Sequence, residues 1–228
     1  MRSMDFLLLL IAVCPGLLFC WFIYRMDKYE KESPLHLYLC FSLGMLITFP
    51  VLKLEEWTHH TGFDDTQNLW ITLFSSFVIV ALSEELVKFL ALVLYPFRQV
   101  FFNEPIDGII YAVVIAMGFA TLENILYAYR FGVETVILRA FTAVPAHAAF
   151  AVMMGYFAGK AKFQPLKRRR FLLIALLLPV LVHGVYDFFI LQEAYDWLIL
   201  LAVPTLAFSI HLAWRMIRQQ QENSPFKE

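Results

Sequence analysis

The sequence predicts an all-α, polytopic membrane protein, a bundle of about seven transmembrane helices. Of its 228 residues, 61% are hydrophobic and only 16% are charged, and apolar runs of about 20 residues recur along the chain. Soluble globular proteins carry about 25% charged residues. No stretch is long and polar enough for a separate soluble domain, so we expect the lipid bilayer, and no nucleic acid, as the surroundings of this chain.

The predicted spans follow the apolar runs in order. The first run continues through Trp21 without a small-residue cleavage site, which favours an uncleaved span over a signal peptide. The seven spans cover residues 6–24, 35–52, 69–95, 105–128, 135–158, 171–191 and 195–214. One membrane domain is expected over residues 1–218, followed by a polar, disordered tail over 219–228.

The positive charges predict the orientation. If seven spans alternate, thirteen of the 18 Lys and Arg residues fall on one side, six of them in the linker 160–170. The opposite side then holds four, and the acidic loop 53–68 lies there as well. Because cytoplasmic loops are enriched in Lys and Arg, the N-terminus is predicted outside and the C-terminus in the cytoplasm.

Three ionisable residues interrupt the third predicted span, in the run ALSEELVKFL. A charge at the centre of a membrane helix costs about 3 kcal/mol on insertion scales, so such residues are usually functional. Glu84 and Lys88 are four residues apart and can form an ion pair. This pairing leaves Glu85 as the freer carboxylate and a candidate general base. A polar clamp between helices is the alternative explanation.

The fourth span carries carboxylates towards both of its ends. Glu123, near the predicted outer end, is a candidate catalytic group or metal ligand, and an interfacial carboxylate is the alternative. Asp107, near the inner end, is predicted to cap the helix N-terminus, because Asp is favoured at that position.

Two histidines lie in the next two spans. His147 follows Pro145 in the fifth span, where it either belongs to a site or bonds a neighbouring helix. His183 and Asp187 share one face of the sixth span, so Asp187 can accept a hydrogen bond from one ring nitrogen and fix the tautomer at the other. A buried His–Asp pair without catalysis is the alternative.

The polar residues of these four consecutive spans are more specific together than singly. Carboxylates and imidazoles activate water either with a glutamate as the base or by holding a metal such as Zn²⁺. The sequence lacks HExxH, which excludes a zincin, and the absence of GxSxG and of a cysteine in a polar setting disfavours serine and cysteine peptidases. The candidate catalytic residues are Glu84, Glu85, Glu123, His147, His183 and Asp187.

Four ordered motifs resemble the PrsW family of intramembrane proteases. They are EELVK at 84–88, FATLE at 119–123, PAHAAF at 145–150 and HGVYD at 183–187. The wider group includes the CAAX prenyl proteases, whose pattern is EExxxR, FxxxH and HxxxN/D. Lys88 and Glu123 depart from that pattern, which favours the PrsW branch over a CAAX-type processing enzyme.

The resemblance implies a bacterial cell-membrane protease that makes the first cut in a single-span anti-sigma factor, which leads to release of a stress-response sigma factor. It also implies that Glu84 and Glu85 are essential and that His147 and His183 bind a metal or stabilise an oxyanion. Glu123 is a further candidate ligand, and Asp187 orients His183. Both a glutamate mechanism and a zinc site remain open.

The predicted depths of these residues conflict. At 1.5 Å per residue, the predicted spans place Glu84 and His147 roughly 20 Å below the outer surface of the membrane, whereas Glu123 and Asp187 lie nearer to that surface. Either the span boundaries differ by a turn or two, or Glu123 lies outside the site.

Two other functions use the same residue types. Buried Glu, His and Lys also form proton relays in transporters and channels, although no inverted repeat is visible here. A membrane scaffold in which the polar groups only lock helices together is the second alternative.

Overall fold

The computed structural model describes residues 3–59, 61–63 and 65–227, and its regular secondary structure is entirely helical. Six segments are long and apolar enough to cross a membrane, and residues 69–94 form a further pass in three helical pieces. The predicted bundle of about seven spans is therefore confirmed. The α-helices are α1 Ser3–Met26, α2 Pro34–His59, α3 Leu69–Phe74, α4 Leu82–Leu94, α5 Asp107–Phe131, α6 Val133–Phe141, α7 Ala143–Phe163, α8 Arg168–Leu191 and α9 Ala202–Glu222.

Helix α5 is the centre of the bundle. It packs against α7, α2 and α1, and most of its residues are buried. Gly108 of α5 meets Gly155 and Gly159 of α7 so closely that a Cβ atom on Gly108 would overlap the α7 backbone. The GxxxG spacing of Gly155 and Gly159 thus serves ordinary close packing of two helices.

The third pass changes helix type just before the two glutamates. The Asn68 side chain accepts hydrogen bonds from the first backbone N–H groups of α3. A π-helix, Ser75–Ala81, then connects α3 to α4. Such wide turns are often found at functional sites. Here Gly184 of α8 packs directly on the Phe77 ring, and a side chain at Gly184 would collide with it, so α8 can approach this pass closely.

The fifth pass is broken where one continuous helix, 135–158, was predicted. Helix α6 ends at Phe141, Thr142 leaves helical geometry, and α7 begins at Ala143. His147 consequently lies near the start of α7 instead of deep within a long span. This boundary removes the predicted conflict in depth between His147 and Glu123.

Two other helices extend beyond their predicted ends. Helix α2 continues past the predicted boundary of residue 52 to His59 and carries Glu55 with it. Helix α9 runs to Glu222, so residues 219–222 of the predicted tail form its last turn. Gln220 and Gln221 are buried there because their side-chain amides donate to backbone carbonyls of α7 and α1.

Candidate active site

The ammonium group of Lys88 lies at the centre of a buried polar cluster. Its Nζ donates to Oε2 of Glu84 at 2.8 Å and to Oε1 of Glu85 at 2.9 Å. The same nitrogen lies 3.1 Å from Nδ1 of His147. All four side chains are almost fully buried. The predicted Glu84–Lys88 ion pair is present, but Glu85 shares the same cation and is not the freer carboxylate.

His147 connects this cluster to Glu123. Because Lys88 can only donate, Nδ1 of His147 accepts, and its Nε2 donates to Oε2 of Glu123 at 3.1 Å. Arg139 Nη2 lies 2.7 Å from the same carboxylate oxygen, and Arg139 Nε donates to Asn124 at 2.8 Å. Glu123 therefore belongs to the cluster, where a histidine and an arginine both hold it.

His183 bridges two carboxylates. Its Nδ1 lies 3.0 Å from Oε1 of Glu85, and its Nε2 lies 3.0 Å from Oδ2 of Asp187. Since both partners are acceptors when ionised, both ring nitrogens must donate, which requires the imidazolium form. Phe150 stacks on the ring at a centroid distance of 4.8 Å. The predicted His183–Asp187 pair is thus extended to Glu85 of another helix.

A pocket of about 600 Å³ opens onto one side of the cluster. The cluster residues on its wall are Glu84, Glu123, Arg139, His147, His183 and Asp187. Glu85 and Lys88 lie behind this wall and do not line the pocket. Glu84 is consequently the member of the glutamate pair that faces the space where a substrate can bind.

The donor types fit a metal ion such as Zn²⁺. One donor atom each from Glu84, Glu85 and His147 lies within 4.8 Å of the others, and carboxylate oxygen with imidazole nitrogen is a common zinc ligand set. Glu85 Oε2 is buried without a hydrogen-bond partner among the described residues. Of the predicted ligands His147, His183 and Glu123, only His147 belongs to this group. The Lys88 ammonium already supplies a cation to the same three residues.

Two site residues gave no signal in the sequence. Arg139 is one of the four positive residues that the alternating spans place on the outer side, yet its side chain contacts Glu123, sixteen residues earlier. Glu55 was assigned to the loop 53–68, but the longer α2 places it on the pocket wall. Finding either contact requires the helix ends, which hydropathy alone locates poorly.

Comparison with known proteins gives the same family for most of the chain. Residues 32–216 match the family described as PrsW family intramembrane metalloprotease. No solved structure matches the chain.

Six curated relatives carry the name Protease PrsW. The protein from Geobacillus kaustophilus is 38% identical over 188 residues, covering 82% of this chain and 81% of the relative. Those from Clostridioides difficile and Bacillus subtilis are 37% identical over 202 residues and 33% identical over 219 residues. Alignment with the Clostridioides protein covers 86% of this chain and 84% of the relative, and alignment with the Bacillus protein covers 95% of each. The chain therefore belongs to the PrsW family and is a multi-pass bacterial membrane peptidase.

Proposed function

We propose that this peptidase makes the first cut in a single-span membrane protein, an anti-sigma factor, and so begins the release of a stress-response sigma factor. The observation that carries the proposal is a buried carboxylate, Glu84, on the wall of a 600 Å³ pocket beside imidazole and ammonium groups. A pocket of this size admits a short extended peptide and excludes a folded domain. A single membrane span with a flexible juxtamembrane segment meets that requirement.

Glu84 is the general base in this proposal. It removes a proton from a water molecule, whose oxygen attacks the carbonyl carbon of the scissile peptide bond. The C–N bond of the tetrahedral intermediate then breaks, and the departing nitrogen takes the proton from Glu84. The charge that develops on the carbonyl oxygen is stabilised by cationic groups on the pocket wall, His183 and Arg139.

The groups behind the wall position these residues. Lys88 holds Glu84 and Glu85 together, and Glu85 with Asp187 fixes the His183 ring from both sides. Glu123 holds His147 from the nitrogen opposite Lys88. Orientation of this kind keeps the base and the cations at hydrogen-bonding distance from a substrate without reorganisation during the reaction.

A zinc ion, when bound, would be held by Glu84, Glu85 and His147 and would supply Lewis-acid polarisation and a more acidic water. Lys88 would then have to leave its present position, because its ammonium group contacts all three residues. The glutamate mechanism requires no such movement and agrees with the hydrogen bonds of the structure.

The test is a cleavage assay in detergent with a single-span anti-sigma factor as substrate, followed by gel and mass spectrometry. The wild type should cut it on the extracytoplasmic side, and Glu84→Gln should leave it intact while eluting as a folded protein. Glu56→Gln is the matched control, because Glu56 is a solvent-exposed glutamate paired with Lys53. Cleavage that persists in a chelator supports the glutamate mechanism. A folded wild type that cuts nothing contradicts the proposal and favours a transporter or scaffold.

A further inference from the structure

A second cluster of carboxylates lies at the other end of α5. Its members are Asp27 and Glu32 of the α1–α2 connection, Glu104 just before α5, and Asp107 at the start of α5, and all four are at most 8% exposed. Asp107 and Glu123 are sixteen residues apart, which corresponds to about 24 Å along a helix. The cluster is therefore separate from the candidate active site.

Neutral donors hold part of this cluster. Oδ2 of Asp107 accepts from the backbone N–H groups of Asn103 and Glu104, at 2.7 and 2.9 Å. Asp107 thus bonds the turn that precedes α5 and does not cap the helix in the predicted way. The Tyr111 hydroxyl donates to Glu32, whose carboxyl group lies beside that of Asp107.

Three buried oxygens of the cluster lack a well-formed hydrogen bond within the described part of the chain, whereas Oδ2 of Asp27 accepts one from the backbone N–H of Glu32 at 3.2 Å. Oδ1 of Asp27 and both carboxylate oxygens of Glu104 are buried without a well-formed hydrogen bond among the described residues. The neutral, polar side chain of Ser224 approaches the Glu104 carboxylate, and the charge of Asp27 also acts on Glu104.

Two nearby cations act on the cluster through their charge, Lys31 on Asp27 and Lys162 on Asp107, but both donate their hydrogen bonds to backbone carbonyls. Lys31 donates to the backbone carbonyls of Tyr24 and Asp27.

Lys162, the second nearby cation, donates to the backbone carbonyls of Phe97 and Gln99. Within the described residues, none of the four carboxylates has a Lys, Arg or His nitrogen within 4 Å, in contrast to the paired glutamates of the active site. Buried carboxylates without a counter-charge are strongly unfavourable.

We propose that this cluster binds one hard divalent cation of the Mg²⁺ or Ca²⁺ class. Such cations prefer carboxylate, carbonyl and hydroxyl oxygens, which are the groups present here. No three of the carboxylates place their oxygens within 4.8 Å of one another, so binding draws Asp27 and Glu104 towards Glu32 and Asp107. The Gln221 amide, which donates to the Met26 carbonyl, holds the end of α9 at this place. The cation thereby fastens the α1–α2 connection to the start of α5.

Terbium luminescence tests the site, because Tb³⁺ replaces Ca²⁺ at oxygen sites and Tyr111 lies close enough to sensitise it. The full chain, stripped with a chelator in nanodiscs, should give saturable Tb³⁺ luminescence that Mg²⁺ or Ca²⁺ displaces. Glu104→Gln and Asp27→Asn should each weaken Tb³⁺ binding at least tenfold and abolish the rise in melting temperature that Mg²⁺ causes. Glu84→Gln and Glu56→Gln should leave both signals unchanged, which separates this site from the active site and from surface carboxylates.

Three results would overturn the proposal. The first is a wild type whose luminescence and melting temperature do not respond to any of the three cations. The second is equal Tb³⁺ affinity in the wild type and in both folded variants. The third is stabilisation by acid alone without any effect of Mg²⁺, which would mean that protons occupy the cluster.

Discussion

The Lys88 ammonium nitrogen lies 3.1 Å from Nδ1 of His147. Two groups that both become cationic on protonation can lie this close only if the imidazole is neutral and accepts. The proton of His147 is then on Nε2, where Glu123 accepts it at 3.1 Å. Lys88 therefore fixes the tautomer of His147 as well as neutralising the glutamate pair.

Replacing Lys88 by methionine should destabilise the protein and increase its response to zinc. Loss of one partner from a buried ion pair costs about 3–5 kcal/mol, because the remaining charges stay buried. Glu84, Glu85 and His147 remain within reach of one metal ion in the variant. Thermal unfolding monitored by tryptophan fluorescence should show a lower melting temperature than the wild type in a chelator and a larger increase on addition of Zn²⁺.

Lys53→Met is the control for this experiment. Lys53 forms an exposed ion pair with Glu56, and such pairs contribute about 0–1 kcal/mol. Its melting temperature should stay close to that of the wild type. Equal zinc responses in Lys88→Met and the wild type would show that Lys88 does not occupy the position of a metal.

The two adjacent glutamates should respond differently to replacement by glutamine. Glu84 faces the pocket, so Glu84→Gln removes the proposed base and should abolish cleavage with little loss of stability. Glu85 is 1% exposed and bonds Lys88 and His183, so Glu85→Gln should lower both activity and melting temperature. Cleavage assays and thermal unfolding on the same preparations measure the contrast. A Glu84→Gln variant that still cleaves, with Glu85→Gln inactive but as stable as the wild type, would exchange the two roles.

Asp187 should act on catalysis through His183. Asp187→Asn keeps the size of the side chain but replaces an anionic acceptor for Nε2 of His183. Loss of an orienting partner typically reduces activity about 10–100-fold, so kcat should fall within this range while KM stays similar. Asp187→Glu should recover part of the rate. An unchanged kcat in Asp187→Asn would assign Asp187 to packing alone.

Hydropathy and residue spacing were sufficient for the fold class and for the contacts of the candidate site that lie within one helix. The periodicity of a helix places His183 four residues before Asp187, and the structure shows that pair at 3.0 Å. The same reasoning correctly paired Glu84 with Lys88. These contacts lie within single helices, where the sequence separation fixes the geometry.

Contacts between helices were harder to predict. Glu123 seemed too far from His147 because hydropathy does not show that the fifth pass breaks at Thr142. The contact between Lys88 and His147, its third polar partner, likewise joins two helices, α4 and α7. Hydropathy reports only whether a segment is apolar, and therefore it cannot give helix breaks, tilts or the direction of a side chain.

The carboxylate cluster at the start of α5 predicts a dependence of stability on pH when cations are removed. Burial raises the pKa of Asp27 from 3.8 to about 6 and that of Glu32 from 4.5 to about 7. At these two groups the folded state binds protons more tightly than the unfolded chain, so their contribution to the free energy of unfolding is fully present below about pH 4 and is lost as the pH rises through 6 and 7. The other titratable groups near these two are Glu30, Lys31, Cys40, Glu104, Asp107 and Tyr111.

Melting temperatures measured in a chelator from pH 5 to pH 8 test this dependence. The wild type should lose stability over this range, and Glu32→Gln, whose amide oxygen can still accept from Tyr111, should show a shallower decrease. Glu56→Gln should follow the wild type, because Glu56 is exposed. A difference between wild type and Glu32→Gln that stays constant with pH would contradict the raised pKa of Glu32.

Arg139 and Glu123 should show strong energetic coupling. Their side chains meet at 2.7 Å and are largely buried, so Arg139→Gln leaves Glu123 with His147 as its remaining partner, and Glu123→Gln leaves the guanidinium group unpaired. The losses of unfolding free energy in the two single variants should therefore add up to more than the loss in the double variant. The difference, which is the coupling free energy, should be about 0.5–3 kcal/mol. Unfolding of the four proteins of this cycle measures the coupling, and Lys53→Gln with Glu56→Gln provides an exposed pair for comparison. Additive effects at positions 123 and 139 would show that Arg139 does not hold Glu123, and His147 alone would then keep that carboxylate in the cluster.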